Sequence, residues 1–254
     1  MSEPNPFLSS GNSSPAGSGS AGGARTVDAG QGWAWILSGF ELFKKQPGNW
    51  VVIAIILIAI TMVLAFIPFI GAIATYLLMP VFTGGLMLGC RSLARSGTLE
   101  INHLFSGFQT RTGDLLILGA IGIAAGIVIM VPVMAIVFFG AYFGASAGNA
   151  AGLGGMGLSF VLAMLIVLAL SVLLSMALWF APALVALGGV APIAAIKQSF
   201  AACLKNFIPF LVYGLVVMVL GIVATIPIGL GWLVLVPVLA ASVYTAYQDI
   251  FGDA

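Results

Sequence analysis

VAPIAAIKQSFAACLKNFIPFLVYGLVVMVLGIVATIPIGLGWLVLVPVLAASVYTAYQDIF, residues 190–251, is the stretch whose reading decides the fold. It opens with an amphipathic segment, Ile193 to Phe207, that carries Lys197 and Lys205. Two apolar runs follow, one ended by Pro227 and one with Pro237 inside it. Each run is close to the roughly 20 residues an α-helix needs to cross a bilayer. The unit therefore reads as an interfacial helix followed by a transmembrane hairpin, with spans at about Ile208 to Thr225 and Gly229 to Tyr247.

Composition extends that reading to the whole chain. Of its 254 residues 61% are hydrophobic and 6% charged, whereas soluble proteins carry about a quarter charged residues. Water cannot be the solvent for most of this surface. Long runs of Leu, Ile, Val, Ala and Gly without alternation fit helical spans rather than the strands of a barrel. A net charge of +1 carries no electrostatic footprint for nucleic acid, so membrane lipids are the expected partners and nucleic acid is not.

Residues 1–31 are rich in Ser, Gly, Ala and Pro and read as a disordered tail on the cytoplasmic side. No apolar h-region of a signal peptide is present there. From Trp33 to Lys45, Trp33, Ile36, Phe40 and Phe43 recur at helical spacing, an interfacial helix with Lys44 and Lys45 at its end. No charge interrupts the chain between Lys45 and Arg91, which leaves room for two spans, Trp50 to Phe66 and Phe69 to Cys90, turning near Pro68 and with Pro80 inside the second. A second amphipathic stretch places Ile101, Leu104, Phe105 and Phe108 on one face, with His103 on the solvated side. The next charge-free region, Asp114 to Lys197, holds a third span, Leu115 to Val131, ended by Pro132. A fourth, Leu158 to Leu187, contains Pro182, and the Gly/Ala-rich piece Gly144 to Gly157 between them reads as a mobile outer loop.

All eight Lys and Arg fall before the first span, in the tail and at the end of the first interfacial helix, and in the loops after spans two and four. By the positive-inside rule both termini are cytoplasmic in a multi-pass inner-membrane protein.

Three units emerge, about 32–95, 96–189 and 190–251, within a single six-helix membrane domain at 32–251. Sliding the first unit by 160 sets Ile36 on Ile196, Phe40 on Phe200 and Phe43 on Cys203; sliding it by 65 sets them on Ile101, Phe105 and Phe108. One proline closes the first span of each unit (Pro68, Pro132, Pro227), and another interrupts the second (Pro80, Pro182, Pro237). The fold class is thus all-α, six transmembrane helices as three parallel repeats of interfacial amphipathic helix plus hairpin.

Pro192 to Phe200, the pair Lys205 and Asn206, and the closing Tyr244, Tyr247 and Asp249 resemble a family of proteobacterial inner-membrane proteins of unknown function. More distantly they are similar to the membrane-anchor domain of glycerophosphodiester phosphodiesterases. The resemblance implies a structural membrane domain and brings no catalytic residues with it.

Chemistry is sparse. Cys90 and Cys203 lack the partners of a zinc site or a nucleophilic dyad, and no disulfide is expected. Gly152, Gly154 and Gly157 match a dinucleotide-binding pattern without the strand it requires. Gly85 with Gly89, and Gly122 with Gly126, have the small-residue spacing of close helix packing inside the bundle. No charged residue needs to lie in the membrane core, which argues against an ion-coupled carrier. No enzyme activity and no cofactor or metal is expected. The expected role is a non-enzymatic membrane-organising or partner-binding scaffold; the alternative is a facilitator or channel for an uncharged or lipidic solute. A cavity lined by Tyr, Thr and Ser among the spans favours the second, and a filled core favours the first.

Overall fold

A computed structural model describes residues 24–147 and 150–252. Its helices run in the order α1 (Gln31–Lys45), α2 (Pro47–Ala65), α3 (Ile70–Ser96), a 3₁₀ helix (Ile101–Phe108), α4 (Thr112–Ala147), α5 (Ala150–Leu178), α6 (Ala181–Ala186), α7 (Pro192–Lys205), α8 (Phe207–Thr225) and α9 (Trp232–Phe251). Six helical stretches are long and apolar enough to cross a membrane: α2, α3, α4, Gly154–Ala186, α8 and α9. They form three hairpins. Every charged side chain described lies at the opposite end from the hairpin turns, and we call these the charged end and the tips.

Local chemistry sets the breaks. Pro47 starts α2, because its missing N–H is one the first turn leaves unbonded anyway. Gly97 ends α3 in the left-handed region at φ 75°, which glycine adopts without a Cβ clash. Two tips share one device, a proline followed by a non-glycine residue at positive φ: Pro68 with Phe69 at 61°, and Pro227 with Ile228 at 55°.

The amphipathic elements are arranged in a ring. The 3₁₀ helix packs on α3, α7 on α5 and α6, and α1 on α9, so each lies against the second helix of the preceding hairpin and α1 closes the circle. The buried core sits at this charged end, around Trp35, Trp50, Phe180, Leu104, Leu115 and Tyr244. At the tips Phe66, Phe69 and Ile228 are almost wholly exposed, an arrangement that hydrocarbon tolerates and water would not.

Several expectations are corrected. The helix face that α1 buries is Trp35, Ile36, Gly39, Leu42 and Phe43, while Trp33 and Phe40 stand 48% and 42% exposed. Hydropathy missed this because the centre of the buried face is Gly39, whose missing side chain lets the Val238 and Ser242 backbone of α9 come close. The second amphipathic stretch is 3₁₀ rather than α; it buries Leu104 and Gly107 and leaves Ile101, Phe105 and Phe108 partly exposed. Pro132 does not end the third span but lies inside α4, since a proline removes one hydrogen bond and an apolar surrounding favours keeping the rest of the helix bonded. Pro182 sits not inside a continuous helix but in the first turn of α6, after a break at Trp179 and Phe180.

The Gly/Ala-rich piece is helix, not loop, up to Ala147 and again from Ala150, with 148–149 outside the described residues. Gly144 abuts Gly152 and Met156, and Gly140 abuts Ser159, so the small residues serve as a close helix–helix contact. Because Gly119 abuts Leu77, α4 runs on for roughly 20 residues, about 30 Å at 1.5 Å per residue, beyond the tip at Ile70. Gly85 and Gly89 pack internally against the 3₁₀ helix, as their spacing predicts, whereas Gly122 faces Leu178 loosely and Gly126 faces open space.

Residues 1–23 of the expected tail lie outside the described residues, but 24–30 do not hang free. Arg25 N donates to Ile250 O at 2.9 Å, Val27 N to Asn206 Oδ1 at 2.9 Å, and Asn206 Nδ2 to Arg25 O at 2.9 Å. The backbone of a polar segment is held here by the buried Asn206, a partner that composition alone does not reveal.

Candidate functional site: a central apolar cavity

A cavity of about 530 Å³ lies where all six spans meet. Leu57 of α2, Leu118 of α4 and Val243 of α9 give it an apolar wall, and Tyr76, Thr83, Ser175 and Tyr213 add hydroxyls. Pro80 and Pro182 line it directly; Pro237 is buried, and its neighbour Val236 faces the space. Of the three prolines expected inside the second spans, two thus line the hollow and the third lies beside it.

Its polar atoms are partly committed. Tyr213 Oη and Ser242 Oγ share a hydrogen bond at 2.8 Å, and Ser175 Oγ donates to Val172 O at 2.8 Å. No ionisable acid, base or histidine lines the space, and the described residues contain no His/Cys/Asp/Glu group able to hold a metal. Such a site can hold an apolar body and orient a hydroxyl or ester, but it presents no acid–base pair.

The floor towards the charged end is α6, buried along its whole length. Pro182 takes away a donor just after α5 ends, and α7 makes good the break: Ser199 Oγ accepts from Phe180 N at 3.0 Å and donates to Met176 O at 2.8 Å. Ser199 was not legible as functional, since in sequence it is one hydroxyl on an amphipathic helix. Beside it Cys203 Sγ points to Met176 O at 3.5 Å. Burial pushes the Cys203 thiol up to about 12, the Ser199 hydrogen bond opposing only part of that.

A second hollow, about 460 Å³, lies between α4 and α5 in their projecting arm, lined by Phe139, Phe143, Gly144 and Ser159. Only one hairpin encloses it, so it lacks the convergence of the central site. Of the expected repeat positions Pro80 and Pro182 line the cavity, whereas Ile36, Phe43 and Cys203 are buried in the core, Ile196 and Phe200 are half-buried, and Pro68 and Pro227 lie at the tips.

Over 225 residues the chain is 31% identical to a protein of Burkholderia thailandensis described as a probable inner membrane protein, an overlap of 86% of this chain and 82% of that one. The chain belongs to that family of bacterial inner membrane proteins. No protein-family profile matches the chain, and no solved structure does. For an inner membrane protein, the six apolar helices are its transmembrane spans and their exposed Leu, Ile, Val and Phe face lipid.

Both cysteines of this inner membrane protein are buried. Burial holds the Cys203 thiol protonated at pH 8, and the exposed thiolate is the reactive form. Maleimide should therefore leave Cys90 and Cys203 unmodified in the folded protein and label both after unfolding in dodecyl sulfate, read by intact mass. Rapid labelling of either in the folded state would contradict their burial.

Proposed function

We propose that this inner membrane protein binds an uncharged or lipidic molecule in the cavity among its six spans and performs no chemistry on it. The cavity itself carries this reading: it is formed by all six spans and lined by apolar and hydroxyl side chains. A scaffold reading requires a filled core, and the hollow weighs against it. We further propose that the fold is a threefold repeat, supported by the ring of amphipathic elements and by the matched tips at Pro68 and Pro227. The second unit then differs by its long arm.

Gly122 lines the cavity, and a Cβ there meets only Leu178 Cδ1, at 3.4 Å. In native mass spectrometry the wild type should carry an apolar molecule, and Gly122→Leu should fill the space, abolish that adduct, and raise or preserve the melting temperature, since a buried Leu adds about 1.5 to 3 kcal/mol. A wild type that carries nothing, with a variant destabilised by overpacking, would refute the cavity reading.

The charged end faces the cytoplasm in this proposal, on the one-sided distribution of Lys and Arg. In intact cells an impermeant maleimide should label Ile228→Cys, at an exposed tip, and spare Ser96→Cys, exposed at the end of α3. The reverse pattern would invert the topology.

A further inference from the structure

The three seams between hairpins do not close the central cavity equally. α3 packs along α4, where the Leu77 backbone meets Gly119, and α9 packs along α2 and α3, so two seams are shut. Among the described residues, no span of the second hairpin packs along α8 or α9. Trp179, in the break after α5, bridges this third seam at the charged end, its ring 6.2 Å from that of Phe210 and 6.0 Å from that of Tyr213. One turn nearer the tips, Ser175 of α5 and Val217 of α8 line the cavity from the two sides of the seam. Ser175 and Trp179 are exposed as well as cavity-lining, so the hollow reaches the lipid-facing surface here.

Inside the cavity one hydroxyl stands apart. A threonine in a helix can satisfy its hydroxyl on a carbonyl one turn back, and Thr61, Thr75 and Thr225 do so on Leu57 O, Gly71 O and Gly221 O at 3.0, 2.8 and 2.9 Å. Thr83 lines the cavity and is half-buried, yet makes no such bond among the described residues. An unpaired hydroxyl away from water is costly, and a bound group offering one hydrogen bond relieves it. A phosphate or carboxylate would find no counter-charge, because no charged side chain lines the space. We infer that the seam between α5 and α8 is a lateral portal through which an uncharged long-chain amphiphile of the bilayer, an alcohol or glycerol ester, enters the cavity. Its head rests on Thr83 Oγ1 and its chain lies out between the two helices. This portal presupposes that the cavity holds an uncharged or lipidic molecule, as proposed above, and adds the route, the class of head and the residue that selects it.

The test uses the full-length protein in phospholipid nanodiscs with a trace of monoacylglycerol whose chain carries a photoreactive diazirine. Bulk lipid labels every lipid-facing surface, so the measured quantity is the loss of each adduct, mapped by peptide mass spectrometry, when excess unlabelled monoacylglycerol is added. Adducts along 172–179 and 210–218 should be lost, while those at Ile55 and Met62, exposed on α2, should persist. Gly122→Leu, which fills the cavity, should abolish the competable adducts. Thr83→Val should lower retention of the monoacylglycerol roughly fivefold and leave a diazirine alkane of equal length unaffected. It should not lower the melting temperature, because the hydroxyl it removes has no partner. Absence of competable adducts from every peptide would refute the cavity and the portal together. Competable adducts at Tyr76 and Met79 but not along α5 and α8 would leave the cavity standing and overturn the portal. Equal losses of the ester and the alkane in Thr83→Val would overturn the assignment of Thr83 as the partner of the head.

Discussion

Gly39→Leu is expected to abolish most of the folded protein. A Cβ at this position lies 2.7 Å from both Ser242 N and Val238 O, backbone atoms that cannot rotate away. Helix α1 would have to separate from α9, the contact that closes the ring at the charged end. With it would go the burial of Trp35, Leu42 and Phe43 and the indole hydrogen bond to Asp249. Overpacking costs about 1 to 3 kcal/mol and each large apolar side chain drawn from the core about 1.5 to 3 more, so a loss on the order of 4 kcal/mol or greater is expected. Detergent-solubilised yield and melting temperature measure it. Gly48→Leu is the control, because a Cβ there meets nothing within 4 Å, and it should change stability by no more than about 0.5 kcal/mol. Equal behaviour of the two variants would mean that α1 does not dock through Gly39.

The second large effect is expected at Asn206, which is 1% exposed and makes three hydrogen bonds. Its amide spans Arg25 O and Val27 N, and Lys205 Nζ holds Ala24 O at 2.7 Å beside it. Asn206→Leu leaves two backbone groups of the 24–30 segment without partners, and each unsatisfied buried group costs about 1 to 3 kcal/mol. A loss of roughly 2 to 4 kcal/mol follows if the segment stays in place, and less if it detaches and is hydrated. Deleting residues 1–30 should cost about as much as Asn206→Leu, and the combined variant no more than either alone, since both remove one interaction. Additive losses would show that Asn206 acts elsewhere.

Span placement was legible in sequence because it depends on length and charge alone. Forty-five residues without a charge between Lys45 and Arg91 leave the backbone no option but a helical hairpin in lipid. The ends of α2, α8 and α9 fall within a few residues of expectation for that reason. Misreadings cluster where glycine or proline decided. Gly39, Gly144 and Gly152 carry no hydropathy signal of their own, yet each marks where two backbones meet. Pro132 and Pro182 look alike in sequence, but one is absorbed within α4 and the other follows a break that Ser199 stabilises from α7.

The sequence by itself determined that the chain lies in a membrane, how many times it crosses, and which end bears the charge, because transfer of apolar and charged groups between water and hydrocarbon is set by composition residue by residue. Only the tertiary structure decided that α1 closes a ring on α9, that 24–30 is tied down by Asn206, and that the spans leave a hollow of about 530 Å³ where they meet. Between helices in lipid there is no hydrophobic gradient to favour one face over another. Helix order and spacing are settled instead by the fit of small residues and a few hydrogen bonds, which is information held jointly by residues distant in sequence.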